Sequence, residues 1–382
     1  MSDTLPAYDI LIVGGGPAGL AVASRLEGLS ALLVHQDREI GLPVRTSGGS
    51  WLSDVTRLGV PSNLYHEVAR ADLYSDNSHS NLDLRADPVV ILDVTNLYKW
   101  LADQSKAKIE CATKFLNAQR DGDGFIVTLR PSGGTPYDVR TTKIIDASGW
   151  HTAVLENLNL KSKPKRRGIG IEYEYPAPDH DPDRAVLFFG DSVPTGYGWA
   201  FPTNKGTIRL GVGVIHPETD VSPRDLMKGL LDSDALEKMN LPRPQAEHAN
   251  SGILPSVAFE KKMVYGNVIR VGDSANMATP TLGEGIRICI EQGRALGQAL
   301  SNDDVEAWEA AAGRKLGLQY KLGFWANTRA AKYDAADWDK SVRRMGELPP
   351  EELISFFRND FSRVLIVKRL WLTLKRKLGL RR

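Results

Sequence analysis

Apolar positions along the chain change period several times. A continuous apolar run from Tyr8 to Val13 predicts a buried strand, and "PAGLAVASRL", after a glycine turn, predicts a helix packed on it. The runs "FIVTLR" and "YDVRTTKIIDA" alternate between the turn segments "RDGDG" and "PSGGTP", so residues 108–142 predict a β-meander crossover. Further alternating runs, "RADLYSD", "SNLDLR", "GIGIEYEY", "AVLFFG", "GYGWAFP" and "TIRLGVGVI", predict a second, antiparallel sheet. A strand ending at Val271 follows, then a loop with Pro280 and a helix starting near Gly283. Within "GYGWAFP", period two puts Tyr197, Trp199 and Phe201 on one face, opposite Gly198 and Ala200, with Pro202 closing the run. Such a stripe is either core packing or the wall of an apolar pocket.

A chain of 382 residues exceeds what one core usually supports, so two or three substructures are expected. The formal net charge of +1 gives no reason to expect nucleic acid, and the seven His show no metal-like spacing, so no metal is expected. Charge is unevenly placed: Phe361 to Arg382 holds eight Lys or Arg and no acid, leaving −7 on the rest of the chain. Cys111 and Cys289 cannot form a disulfide framework and suit a reducing compartment, so a cytoplasmic location is expected. No basic n-region precedes the first apolar run, and no stretch has the roughly eighteen continuous apolar residues of a spanning helix. Contact with a membrane surface stays open.

Candidate chemistry sits at two distant places. In "GGGPAG", Gly14, Gly16 and Gly19 take the G-x-G-x-x-G positions around Gly15, Pro17 and Ala18. At this spacing the glycines permit a tight turn, let the backbone approach a pyrophosphate and let the helix pack on the sheet, so a dinucleotide site is expected. The next strand should end in an acid for the adenosine ribose. It ends in His35 and Gln36, either able to hydrogen-bond a hydroxyl, with Asp37 one residue later. Far along the chain, Gly272-Asp273 and then Pro280 and Gly283-Glu284-Gly285-Ile286 at a helix start suit a flavin. Asp273 can take ribityl hydroxyls, and the amides of Gly283 to Ile286 can face negative charge on the reduced ring. Glu284 is expected to be a capping or structural acid. The two ends together point to FAD. No second G-x-G-x-x-G follows a strand and opens a helix, so the electron donor, NADPH or reduced ferredoxin, is expected to dock transiently.

The pair "GGGPAG" and "GDSANMATPTLGEGI" resembles the glutathione-reductase-type FAD domain of the aromatic hydroxylase superfamily. Aromatic-x-Trp-x-Phe-Pro, eight residues and then Gly211-x-Gly213 narrows the resemblance to the geranylgeranyl reductase family, from the N-terminus to about residue 300. The fold this implies is α/β: a glutathione-reductase-type FAD-binding Rossmann domain (1–70, 88–165 and 256–310), an inserted antiparallel substrate sheet (71–87 and 166–255) and a C-terminal helical region (311–382). The resemblance places Arg45 near the FAD phosphates, with Thr46 beside it, and a backbone group of Leu116 at the adenine. It makes Tyr197, Trp199, Phe201 and Pro202 pocket lining rather than core, with at least one ring still in the core. The pattern is departed from in three respects: the Cys often found after Arg45 is absent, with Thr46 and Ser47 nearby instead, Ser148 replaces an acid two residues after Asp146, and Val94 replaces an arginine.

The implied activity is FAD-dependent reduction of C=C bonds in an isoprenoid chain or prenylated lipid, with the proton donor unassigned. Alternatives are a flavin-dependent monooxygenase or halogenase on an apolar substrate, and a non-catalytic membrane-associated flavoprotein. In the tail, Val364, Ile366, Val367, Leu370, Trp371, Leu374 and Leu378 gather on one side of a helical wheel and Lys368, Arg369, Lys375 and Arg376 on the other. This pattern suits either an anionic membrane surface or docking on the chain's own domain.

Overall fold

A computed structural model describes residues 5–244 and 249–361, so the basic amphipathic tail lies outside the described residues. The first strand, Ala7–Val13, pairs in parallel with Ala31–Val34 on one side and Tyr137–Asp146 on the other. Val268–Arg270 extends the sheet beyond Tyr137–Asp146, and Lys108–Glu110 extends it beyond Ala31–Val34. Ile10, Leu11, Ile12, Leu32 and Leu33 are all 1% exposed or less, as strands covered on both faces require. The expected meander is present: Thr113–Asp121, Gly124–Pro131 and Tyr137–Asp146 run antiparallel in succession.

A second sheet of seven strands is drawn from Arg70–Tyr74, His79–Asp83 and five strands between Arg167 and Pro255. Its neighbours are antiparallel except for Arg70–Tyr74, which pairs in parallel with Arg184–Gly190. The register fixes what each face carries. Trp199 lies opposite Gly211 on one neighbour and Leu187 on the other, and Tyr197 opposite Gly213. A methyl group on Gly211 would enter the Trp199 indole, and one on Gly170 or Gly213 would stand 3.2 or 3.3 Å from it. The Gly-x-Gly strand is therefore a bed for the Trp199 ring. On the reverse face Gly198 leaves room for the Phe188 ring, which packs with Val186, Ala200 and Val212.

Two helix contacts join the layers. The helix Pro17–Ala23 lies against Ile286–Ser301, where a Cβ at Gly293 would meet the Ala18 carbonyl at 2.6 Å and one at Gly297 would enter the Val22 carbonyl. The C-terminal helices Ala335–Gly346 and Pro350–Phe357 pack on the second sheet. Trp338, Val342, Leu353 and Phe357 share a core with Leu73, Leu187, Phe189 and Trp199. Asp339 pins this layer by accepting hydrogen bonds from Ser75 Oγ at 2.7 Å and the Asn77 N–H at 2.9 Å.

At the end of Pro350–Phe357, Arg358 donates to Asp54 at 2.8 Å and to Asp87. Burial pushes the Asp54 carboxyl up, but Arg287, Arg57 and Arg358 outweigh it and hold it below its ordinary 3.8. Arg358→Ala is expected to lower stability by about 1–3 kcal/mol in urea titrations. Because the Asp54 value is depressed, this contribution is complete above pH 3.8 and disappears as pH falls through the folded value, so the gap to wild type closes in acid. Gly297→Val, which forces the two helices apart, is expected to cost about 1–3 kcal/mol or more in the same assay, with no such pH dependence.

Candidate functional site

One cavity of about 1700 Å³ runs from the glycine turn to the C-terminal helices. Small-molecule sites usually occupy roughly 300–1,000 Å³, so this space suits a large cofactor with a second molecule beside it. At one end the turn Gly14–Gly16 follows the first strand. Gly14 has φ +121°, and a side chain there would enter the Ala147 carbonyl, whereas Gly16 faces open space. Gly14, Gly15, Gly16, Pro17 and Ala18 line the cavity, while Gly19 lies beneath, close against the Gly14 carbonyl.

His35 and Gln36 line the same end. The Gly15 N–H donates to His35 Nδ1 at 3.3 Å, leaving Nε2 3.5 Å from Asp37. Burial lowers the His35 value, against the pull of Asp37, so the ring is a neutral spacer between the turn and the acid. Asp37, three residues past the end of Ala31–Val34, lines the cavity beside His35 and Gln36. It accepts a bidentate pair from Arg45 at 2.7 and 3.1 Å, and this guanidinium holds the carboxyl below its usual range. Arg45, Thr46 and Leu116 line the same cavity with Asp37.

Asp273, Pro280, Gly283, Gly285 and Ile286 line the middle of the cavity, with Gly272 just beneath the surface at φ +70°. No described residue donates to the Asp273 carboxylate, and burial raises it to about 6. Glu284 turns away from the cavity to accept from Ser50 Oγ at 2.8 Å and Arg287 Nε at 2.7 Å, which makes it a structural acid. The residues fit FAD: an open glycine turn, an unsatisfied carboxylate one helix-start away, and amides at the N-terminus of the 16-residue helix Ile286–Ser301. Bound there, FAD supplies two-electron redox chemistry.

Beyond this point the cavity turns aromatic. Tyr197 and Trp199 line it with Phe189, Trp338, Phe356 and Phe357. The Tyr197 hydroxyl donates to the Leu282 carbonyl at 2.6 Å, tying the aromatic strand to the loop before Ile286. Phe201 instead packs 3.6 Å from the Cβ position of Gly49, and neither it nor Pro202 lines the cavity. Sequence reasoning missed the C-terminal helices as lining and missed Glu172, which lies beside Trp199. Only the period-two pattern of "GIGIEYEY" hinted at the latter.

The FAD binding domain family model matches residues 7–307. Digeranylgeranylglycerophospholipid reductase 1 of Methanothermobacter thermautotrophicus is 27% identical over 334 residues, covering 82% of this chain and 81% of that protein. Digeranylgeranylglycerophospholipid reductase 3 of Methanosphaera stadtmanae is 25% identical over 316 residues, 78% of this chain and 79% of that one. A solved geranylgeranyl bacteriochlorophyll reductase-like protein from Thermoplasma acidophilum superposes with a TM-score of 0.82 at 22% identity, over 96% of this chain and 99% of that one. The flavin-dependent halogenase CmlS superposes less closely, at 0.66 and 16% identity over 98% of this chain and 78% of that one. The resemblance carried by the two glycine motifs is borne out, and so is the mixed α/β fold.

With FAD as the ligand, hydroxyl donors favour the ionised form of Asp273, so retention of FAD through gel filtration is expected to fall as pH drops through about 6. Asp273→Asn is expected to remove that pH dependence. The chain belongs to the FAD binding domain family and is an FAD-dependent oxidoreductase.

Proposed function

We propose that this enzyme reduces C=C bonds in a geranylgeranyl-type chain carried by a lipid. One observation carries this reading: the cavity continues past the flavin end into a limb walled by Tyr197, Trp199, Phe189 and Trp338, with no break between them. A long apolar chain can thread such a limb and present one double bond at a time to the flavin. The relatives named digeranylgeranylglycerophospholipid reductases support the same substrate class.

The protein's part is positioning. Trp199 is held flat by its glycine bed, and Tyr197 is anchored to Leu282, so the rings form a fixed wall that excludes water from the reacting carbons. The reductant, NADPH or reduced ferredoxin, would dock transiently, because no second dinucleotide turn occurs among the described residues. No helix of the described residues is long and apolar enough to cross a membrane. The eight Lys and Arg of 362–382 would bring the enzyme to an anionic surface where such a substrate resides.

The test is anaerobic. Enzyme reduced with dithionite is mixed with a geranylgeranyl glycerophospholipid, and flavin absorbance and product mass are followed. Reoxidation without oxygen, with two hydrogens added per event, is the expected result; a flavin that stays reduced until oxygen enters would favour a monooxygenase or halogenase. Trp199→Ala is expected to slow reoxidation about tenfold or more with FAD content unchanged. Removal of 362–382 is expected to weaken sedimentation with anionic vesicles.

A further inference from the structure

Glu172 lies on the strand Arg167–Pro176, where Gly170, Glu172 and Glu174 share the face that carries the aromatic wall. Register sets it opposite Gly211 on one neighbour and Asn250 on the other. Its Oε2 accepts from the Trp199 indole N–H at 2.8 Å. The residue is 3% exposed, yet it lines the cavity beside that ring. Among the described residues the buried acids Asp54, Asp72, Asp93, Asp146 and Asp339 leave no buried oxygen unsatisfied, whereas Oε1 of Glu172 has no hydrogen-bond partner.

We propose that Glu172 is the proton donor of the alkene reduction, its role resting on the reading above. The indole N–H fixes Oε2 as an acceptor, so the proton of the neutral carboxyl sits on Oε1, which has no partner at hydrogen-bond distance. In the step, the alkene π bond breaks and one carbon gains a hydride, with its electron pair, from the reduced flavin. The other carbon takes the proton as the O–H bond of Glu172 breaks, and the carboxylate left behind regains a proton from water when product leaves. The two electrons come from the external reductant, dithionite in the test below.

The surroundings keep about half of this acid protonated at pH 7. Burial raises the Glu172 carboxyl; Arg209, the Trp199 bond and the Asn250 amide pull the other way, Glu174 adds to the rise, and the outcome is about 7. Arg209 is the one cation acting on it, and its guanidinium is already engaged by Glu174 at 2.9 Å and the Ser47 and Leu92 carbonyls at 2.8 and 3.0 Å. It acts as a nearby charge and not as an ion-pair partner that would hold Glu172 ionised.

The experiment uses the FAD-loaded full chain, the anaerobic reoxidation assay and pH 5–9. Wild-type reoxidation is expected to fall as pH rises through about 7, because the neutral acid is the active form. Glu172→Gln keeps an acceptor for Trp199 but has no acid proton; it is expected to slow the step about 100-fold or more and flatten the profile. Flavin reduction by dithionite should be unchanged. Independently of turnover, infrared difference spectra of wild type should show a protonated carboxyl band titrating near pH 7 that the variant lacks. If wild type yields no reduced lipid, the substrate reading fails. If wild type yields it and Glu172→Gln matches its rate and profile, Glu172 is not the donor. Should the variant fail to fold, a wild-type profile flat from pH 5 to 9, or the absence of the infrared titration, overturns the proposal.

Discussion

The approach of two helices at Gly293 and Gly297 governs the geometry of everything around the cofactor. Pro17–Ala23 begins at the Gly14–Gly16 turn, and Ile286–Ser301 begins at the loop that follows Asp273, so their separation sets the distance between the pyrophosphate end and the ring end of the site. Side chains at Gly293 and Gly297 would meet Ala18, Val22 and Arg25 and spread the helices. Because both helices start at the cavity and pack directly behind it, a shift of one moves its ligand-facing turn with no loop to absorb the change. Residues some 270 positions apart can therefore form one cofactor site.

The second sheet couples to that frame through a few polar contacts rather than through one continuous core. Tyr197 reaches the Leu282 carbonyl, and Arg209 reaches the Ser47 and Leu92 carbonyls. Both pairs cross from the aromatic strand layer to segments that flank the flavin end. The C-terminal helices close the opposite side, with Trp338 stacked on Phe189 at 4.5 Å. Frame, sheet and helices thus meet around a shared space, and the apolar limb exists because each layer leaves its aromatic face unfilled there.

Local motifs were legible in the sequence; long-range register was not. The glycine turn and the Gly272-Asp273 segment depend on residues close in sequence, so spacing alone placed them, and alternation exposed most strands of the second sheet. The pairing of Asp37 with Arg45 was not legible, because it depends on Arg45 folding back across a loop, which no periodicity encodes. At least one ring of the stripe is expected in the core, but which one is not legible locally: Phe201 leaves the cavity because Gly49 of another sheet comes up against it. Glu172 shares a face with Gly170 and Glu174, a pattern that reads as solvated until the strands Thr207–His216 and Ala249–Pro255 bury it from both sides.

Buried acids in this chain divide by location. Away from the cavity they are saturated: Asp146 accepts from the Ser148 N–H and hydroxyl and from the Val154 and Leu155 N–H groups, and Glu284 from Ser50 and Arg287. On the cavity, Glu172 keeps an unpaired oxygen, although leaving a buried polar atom unpaired costs about 1–3 kcal/mol, and the half-buried Asp273 carboxylate accepts from no described residue. A fold that satisfies its other buried carboxylates and spares these two holds them ready for groups it does not itself contain. At Asp273 the missing groups are hydroxyl donors, which favour an ionised acid. At Glu172 the missing group is a carbon that must accept a proton, which requires a neutral one. The indole N–H at one oxygen and the lack of a hydrogen-bond partner at the other separate these two roles within the same cavity.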